Sequence, residues 1–294
     1  MNVIQTDVAV ICLVYNHEKF LRDCLEGFVN QHINFDYKVI VHDDFSTDGS
    51  RNLIREYEER YPDLIVPLYE EENQYSQGKN IIQDIILPLL DCKYIAICEG
   101  DDYWCNNNKI LMQYDYMEKH KEVSLCTHNT RRHDLRGINQ DFCFNKWVKE
   151  KKLSEREIFE GWYVHTSSYF FRNNAIIRPK EFSGYWFGDY VLLLNAYKSG
   201  DVAFLPEIMS VYNDNNTEGM GYRKCKGCFE DSIKNELLRI DFLREYNDFT
   251  KQNFNKIIKR KIFKVKLALL KACLINFVRN TRHIIIYKQV KDFI

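Results

Sequence analysis

Glu99, Asp101 and Asp102 place three carboxyl groups within four residues, around the single glycine Gly100. Carboxylates at that density repel one another unless a cation lies between them, and their hard oxygens are the donors that Mg²⁺ or Mn²⁺ takes. An acidic triplet alone is more often a loop facing water. Here the triplet closes an apolar run and is followed at once by Tyr103-Trp104, which favours a built site. A second acidic pair, Asp43-Asp44, leads into Phe45-Ser46-Thr47-Asp48-Gly49-Ser50, and Tyr15-Asn16 forms a third polar tip.

For these groups to act together, each must end an element that stops at one rim. The run ahead of Glu99, Tyr94-Ile95-Ala96-Ile97-Cys98, is too short for a helix and has the composition of a buried strand. Residues 7–15 are nearly continuous apolar, the mark of a strand covered on both faces of a parallel sheet. Residues 37–41 and 64–69 read as two further strands. Between them, Phe20, Leu21, Cys24, Leu25 and Phe28 recur at helical spacing over 18–30, and Ser46 and Thr47 can cap a helix over 48–60. A third helix is expected over 79–90, opened by Gly78-Lys79-Asn80, where a helix N-terminus and a cation can meet phosphate. Four strands alternating with three helices predict an α/β fold with a doubly wound, mostly parallel sheet, whose strand ends gather ligands.

Beyond the triplet the pattern predicts a helix over 109–119 and a strand over 123–127. Residues 128–150 read as irregular, with His128, Arg131, Arg132 and His133 as polar candidates. Ser154-Glu155-Arg156-Glu157 is a capping box for a short helix. A strand is expected over 167–172, and a mostly apolar helix over 186–199, stopped by Gly200 and carrying Asp189 in its first turn. Short edge strands over 202–205 and 208–212 precede a long polar loop, 213–227, and the chain is helical from Phe229.

A length of 294 residues suffices for one main core with an appended helical tail. An apolar fraction of 45% against a charged fraction of 28% is that of a soluble globular protein. Ten cysteines at irregular spacing, several inside apolar runs, suit a reducing cytosol better than a disulfide framework. The first residues lack a basic patch before an apolar core, so no secretion signal is expected, and no run reaches the ~18 apolar residues of a membrane span.

The net charge of −1 conceals an asymmetry: residues 251–294 hold 12 Lys and Arg and one acid, Asp292, which leaves an acidic body. Over 254–275, Phe254, Ile257, Ile258, Ile262, Val265 and Leu269 share one helical face, and Lys256, Lys259, Arg260, Lys264, Lys266 and Lys271 the other. Such a helix either lies on an anionic membrane, gaining roughly 1 kcal/mol per basic residue near the surface, or covers the protein's own sheet. Nucleic acid is not an expected partner, because the basic face lacks interleaved aromatics and the body is acidic. The expected location is cytoplasmic, with the inner face of the cell membrane as the place where the tail would attach.

Taken in order, Val14-Tyr15-Asn16-His17-Glu18, Val41-His42-Asp43-Asp44-Phe45-Ser46-Thr47-Asp48 and Glu99-Gly100-Asp101-Asp102-Tyr103-Trp104 resemble the motifs of family-2 glycosyltransferases of the GT-A fold, a Rossmann-like architecture. The resemblance covers about residues 7–127 well and extends thinly to about 220. It divides the chain into a glycosyltransferase domain, 1–228, with a nucleotide half (about 1–127) and an acceptor half (about 128–228), and a basic amphipathic helical tail, 229–294. It implies that Tyr15 and Asn16 flank the base, that Asp43, Asp44, Gly78, Lys79 and Glu99 contact the nucleotide, and that Asp101 and Asp102 hold Mn²⁺ or Mg²⁺. It further implies that Asp189 is the general base of an inverting enzyme, which moves a sugar from a nucleotide diphosphate, UDP in the first instance, to a glycan or lipid-linked glycan. As an acid in the first turn of a helix, Asp189 is equally a partner of the helix dipole.

Two features depart from that pattern. Relatives with this acidic motif carry Tyr-x-x-His after the last strand, whereas this chain reads Tyr212-Asn213-Asp214-Asn215, so Asn215 would be a weaker ligand. Glu99 stands where many have Asp, and its longer arm reaches ribose or a metal-bound water. Cys225 and Cys228 have the spacing of half a zinc site with no matching second pair. Two other functions fit the same residues: a non-catalytic sugar-nucleotide-binding scaffold of a polysaccharide assembly complex, and a sugar nucleotidyltransferase, which would want a Gly-rich basic loop after the first strand that is not there.

Overall fold

The computed structural model describes residues 3–214, 216 and 229–279. The chain divides into two compact units, Met1–Ile158 with Trp162–Asn216, and Phe159–Gly161 with Thr217–Ile294. The first unit opens with β1 (Ile4–Val14), α1 (Glu18–Val29), β2 (Tyr37–Asp43), α2 (Ser50–Arg60), β3 (Ile65–Tyr69) and β4 (Leu90–Ile97). Val8, Ala9, Val10, Ile11 and Cys12 are fully buried, as an unbroken apolar run requires of a strand covered on both faces. β2 and β4 flank β1 in parallel, pairing Val14 with Asp43 and Ile11 with Ile97, and β3 lies parallel beyond β2. The strands therefore stop at one rim, from which Tyr15-Asn16, Asp44 and Glu99 continue.

α1 turns Leu21, Cys24, Leu25 and Phe28 onto the sheet at the i, i+3, i+4, i+7 spacing of an amphipathic helix. Gly27 allows the helix to touch the backbone beyond the acidic loop, since a Cβ there would stand 2.7 Å from the Trp104 carbonyl oxygen. The Phe28 ring meets the Trp104 indole edge-on at 4.7 Å, and Trp104 Nε1 donates to the Ser167 carbonyl at 3.0 Å. These contacts anchor the end of the acidic loop. Truncating Phe28 to Ala would remove one wall at a cost of about 3–5 kcal/mol.

The chain continues through β5 (Tyr103–Trp104), α3 (Lys109–Lys119), β6 (Val123–Asp134), β7 (Phe142–Cys143), β8 (Lys151–Lys152), α4 (Glu155–Glu160), β9 (Phe170–Arg172), α5 (Gly188–Ser199) and β10 (Asp201–Asp214). The sheet order is β3-β2-β1-β4-β9-β6-β10-β5. β9 runs antiparallel to both β4 and β6, whereas β6 and β10 are parallel. The result is a mixed α/β fold with a mostly parallel central sheet.

Three elements differ from the sequence expectation. The helix expected over 79–90 is a six-residue wide turn, Ile81–Ile86, and a 3₁₀ turn, Leu87–Leu89, because Pro88 lacks the N–H needed to continue. β6 runs on to Asp134 instead of stopping at Thr127, and His128, Asn129 and Thr130 are buried by pairing with β10. The two short strands expected before Asn213 are one strand, β10. Its register slips between Leu205 and Ile208, where Pro206 has no N–H to give the ladder.

In the second unit α6 (Phe229–Phe249) packs on α7 (Asn255–Arg279) through Ile233, Ile240, Leu269 and Cys273, with Ile262 and Val265 at the margin. The apolar stripe of the tail helix is thus covered by its neighbour. Glu160 receives Arg260 at 3.1 Å and Lys264 at 2.6 Å within the same unit. No helix among the described residues is long and apolar enough to cross a membrane.

Candidate active site

The tip between β1 and α1 is fastened to the tip after β2. Asn16 adopts a left-handed backbone, φ 58°, which Asn tolerates better than most residues. Its Oδ1 accepts from the Thr47 amide at 2.7 Å, while its own amide donates to Ser46 Oγ at 3.0 Å and the His17 amide donates to Ser50 Oγ at 2.9 Å. Asp43, fully buried, receives the Arg51 guanidinium through Nε at 2.7 Å and a terminal nitrogen at 2.6 Å. Asp44 accepts from two backbone amides, Gln74 at 2.7 Å on one oxygen and Tyr75 at 3.1 Å on the other. Asn16, Asp43 and Asp44 are therefore already bonded within the protein. Tyr15 and Phe45 are instead exposed at 38% and 42%, leaving ring surface available for stacking.

Gly78 also takes a left-handed backbone, φ 80°, in the loop that Asp44 holds, and Lys79 Nζ bonds Gln74 Oε1. The Asn80 amide at the start of the short helical turn donates to Asp84 Oδ2 at 3.0 Å. The free helix N-terminus expected there is thus occupied by an acid of the same turn.

The acidic loop after β4 is held by its backbone: the Gly100 amide donates to the Leu13 carbonyl at 2.9 Å and the Asp102 amide to the Glu99 carbonyl at 3.0 Å. Gly100 passes close to β1, and a Cβ would stand 2.9 Å from His17 Nδ1 and 3.0 Å from Val14. Asp102 is buried; its Oδ1 accepts from the Asn213 amide at 2.9 Å and its Oδ2 lies 3.7 Å from His165 Nδ1. Asp101 is partly exposed, accepts from Asn216 Nδ2 at 3.1 Å, and lies 4.0 Å from His17 Nε2. Asn213 Nδ2 adds a bond to the Asp101 carbonyl at 2.7 Å. Glu99 Oε2 is buried and has no hydrogen-bond partner among the described residues.

The electrostatics follow from that burial. Loss of solvation, then the charges of Asp101 and Asp189, push the Glu99 carboxyl up to about 8. Burial and the neighbouring Asp101 and Glu99 raise Asp102 as well. His165 cannot serve as a counter-charge, because burial holds it down to about 3 and keeps the ring neutral. Its ring stacks on Tyr212 at 4.2 Å. Among the described residues no Lys or Arg pairs with Glu99, Asp101 or Asp102.

Asp189, in the first turn of α5, belongs to the same neighbourhood. Its charge raises Glu99 and the buried Tyr169 hydroxyl, and it opposes the fall that burial imposes on Arg178. Arg178 lies against the start of α5, where a Cβ on Gly188 would stand 2.6 Å from its guanidinium.

No three His, Cys, Asp or Glu side chains among the described residues stand together as an enclosing metal site. The donor set fits the other mode of holding Mg²⁺ or Mn²⁺, with one or two carboxylates from protein and the remaining positions filled by substrate phosphates and water. The orphaned Glu99 oxygen and the raised acids mark a place short of positive charge.

Sequence reasoning missed Arg51, His17, His165, Asn213, Asn216 and Arg178. His17 follows Asn16 directly and Asn213 follows Tyr212, so adjacency was a usable signal for both. His165 and Arg178 lie where hydrophobic periodicity lapses, on either side of β9, whose pairing with β4 and β6 is a long-range event that no local pattern announces. Asn215, Cys225 and Cys228 lie outside the described residues.

Comparison with known proteins adds to this geometry. The model of the family described as glycosyl transferase family 2 matches residues 9–178. A Mycobacterium tuberculosis protein, Rv1520, is 30% identical over 213 residues, covering 70% of this chain and 58% of its own length. The chain thus spans a little over half of that curated relative. The crystal structure of S. aureus TarS 1–349 in complex with UDP-GlcNAc superposes with a TM-score of 0.59 at 17% identity, over 97% of this chain and 90% of that one. The mannosyltransferase PcManGT from Pyrobaculum calidifontis, in complex with GDP-Man and Mn²⁺, has a TM-score of 0.56 at 14% identity, over 99% and 83%. Both likenesses are of fold.

Proposed function

The chain belongs to glycosyl transferase family 2, and from that premise we propose that it is an inverting, metal-dependent glycosyltransferase, moving a sugar from a nucleotide diphosphate to a hydroxyl of a glycan or lipid-linked glycan. UDP is the favoured nucleotide, in keeping with the UDP-GlcNAc bound by TarS. The observation that carries the reading is the electrostatic deficit at Glu99, Asp101 and Asp102, beside Asp189 on one sheet rim.

Each residue then has a physical task. Tyr15 offers its exposed ring to the base, while Asn16, Asp43 and Asp44 fix the loops that form the nucleotide's walls, with Gly78 and Lys79 beyond them. Asp101 and Asp102 would hold Mg²⁺ or Mn²⁺, with Glu99 behind them. When bound, the ion supplies positive charge to the diphosphate as it departs. Asp189 accepts the proton of the attacking acceptor hydroxyl, the acceptor-side task of the base in an inverting displacement.

In this reading residues 1–127 are the nucleotide half, 128–228 the acceptor half and 229–294 a tail. Phe263, Leu267 and Leu274 are exposed on α7 among its lysines, which supports attachment to an anionic membrane from the cytoplasmic side. Cosedimentation with phosphatidylglycerol vesicles but not with phosphatidylcholine vesicles checks that point.

The decisive experiment is a screen of sugar nucleotides, following UDP or GDP release with Mn²⁺, with Mg²⁺ and with chelator. Metal-dependent release from one donor is expected, and Asp189→Ala should lower turnover by about 10²–10⁴ while leaving UDP affinity intact. No release from any donor, or an Asp189→Ala protein with normal turnover, would remove the assignment or its base.

A further inference from the structure

A cavity of about 390 Å³ opens in the first unit beside the Gly78-Lys79-Asn80 turn, and Lys79, Arg178 and Lys180 line it against a single acid, Asp84. Asp84 already accepts from the Asn80 amide at 3.0 Å and so serves the turn. The cavity is left with an excess of positive charge that the acids Glu99, Asp101 and Asp102, which do not line it, cannot balance by contact.

Arg178 is the fixed member of the set. Its amide donates to Gln83 Oε1 at 2.9 Å, and one terminal nitrogen donates to the carbonyls of Phe182, Ser183 and Tyr185 at 3.5, 3.3 and 2.6 Å. Nε, in contrast, is buried with no hydrogen-bond partner among the described residues. A buried N–H without an acceptor is costly, so this guanidinium carries its charge with part of its donor capacity unused. A guanidinium held in place is also the preferred planar partner of phosphate and carboxylate. The same guanidinium lies against Gly188, one residue from Asp189.

We propose that this cavity is an anion subsite on the acceptor side, taking a phosphate ester or a carboxylate of the acceptor so that a neighbouring hydroxyl lies beside Asp189. The acceptor assignment rests on the glycosyltransferase reading of Asp189, whereas the anion preference rests on the cavity's own residues. The acceptor is thereby an anionic glycan or polyol, held through its charged group by Arg178 and Lys180, with Lys79 bordering the cavity on the nucleotide side.

The test titrates sn-glycerol 3-phosphate and, separately, glucuronate into the full chain saturated with UDP and Mg²⁺, read by calorimetry. At least one is expected to bind with UDP in place. Arg178→Gln and Lys180→Gln should each weaken it tenfold or more while UDP affinity stays within twofold. Lys180 is exposed, so its neutralisation alters charge without disturbing the carbonyl contacts of Arg178. Binding of the phosphate ester alone identifies a phosphorylated acceptor, and of glucuronate alone a uronic acid. Binding of neither, unchanged affinity in both variants, or binding that UDP abolishes overturns the subsite, the last result giving the cavity to the donor's diphosphate. A chain that binds the anion through these residues but never binds UDP would instead overturn the donor reading.

Discussion

The acids that end β2 and the acids that follow β4 flank the same strand, β1, and Asp43, Asp44 and Asp102 are all buried, yet the surroundings of the two groups are opposite. Asp43 has the Arg51 guanidinium and Asp44 has two backbone amides. Glu99 has an oxygen with no partner, and Asp102 has one amide and a neutral histidine. Burying a carboxylate without a partner costs several kcal/mol, which a protein tolerates where a ligand supplies the missing charge. On the proposed function, the first pair is a construction element of the nucleotide wall and the second is the part that would take a cation.

The largest effect expected of that difference is on activity. Asp101→Ala removes the more accessible carboxylate of the deficient side, so turnover should fall by about 10³, and the gain in UDP affinity on adding Mn²⁺ should vanish, with unfolding little changed. Titration of UDP with and without the ion reads both. A variant that keeps its metal-assisted affinity would remove Asp101 from the ion.

The fold should respond on the other side. Arg51→Met leaves Asp43 buried without its partner, and breaking such a pair costs about 3–5 kcal/mol, here toward the lower figure because Arg51 is partly exposed. Urea unfolding of the full chain should show the loss. An Arg51→Met protein as stable as the parent would mean that Asp43 does not depend on this pairing.

Much of this contrast was legible in the sequence, and the illegible remainder has a common cause. The polar tips of β1, β2 and β4 could be read because a continuous apolar strand ending in acids is a local signal. Which acid is neutralised could not be read, because Arg51 answers Asp43 from a helix start, and Asn213 answers Asp102 from over a hundred residues away. The reading of 128–150 as irregular failed over 128–134 for a similar reason: His128 and Asn129 are strand residues only because β10 pairs with them. Pro206 misled in the opposite sense, since it bends one strand without ending it.

A smaller effect of opposite sign sharpens the comparison. Burial and the Asp101 charge push the Glu99 carboxyl up to about 8 in the folded protein, against the 4.5 of a solvated glutamate. Between those values the folded state binds a proton that the unfolded chain has released, so stability of the metal-free protein falls as pH rises through the window. Glu99→Gln removes the titration. At pH 8 in chelator it should exceed the parent in stability by about 2 kcal/mol, and near pH 4 the two should coincide. A parent whose stability is flat from pH 4.5 to 8 would show that the Glu99 charge is solvated after all.

The smallest effect tests the backbone that joins the two sides. Asn16 holds the β1 tip to the β2 loop through its Oδ1 bond to the Thr47 amide, and it does so at φ 58°. Asn16→Gly loses the hydrogen bond but accepts the left-handed backbone, whereas Asn16→Ala loses the bond and adds the steric cost of a Cβ there. Both should be destabilised by about 1 kcal/mol for the bond, and Ala by about 1 kcal/mol more for its conformation. The difference between the two variants in chemical unfolding isolates the strain from the bond, since the bond is absent in each. Equal stabilities would mean that the tip relaxes out of the left-handed region once the side chain is gone, and that the Thr47 bond, rather than the fold of β1, fixes the shape of this tip.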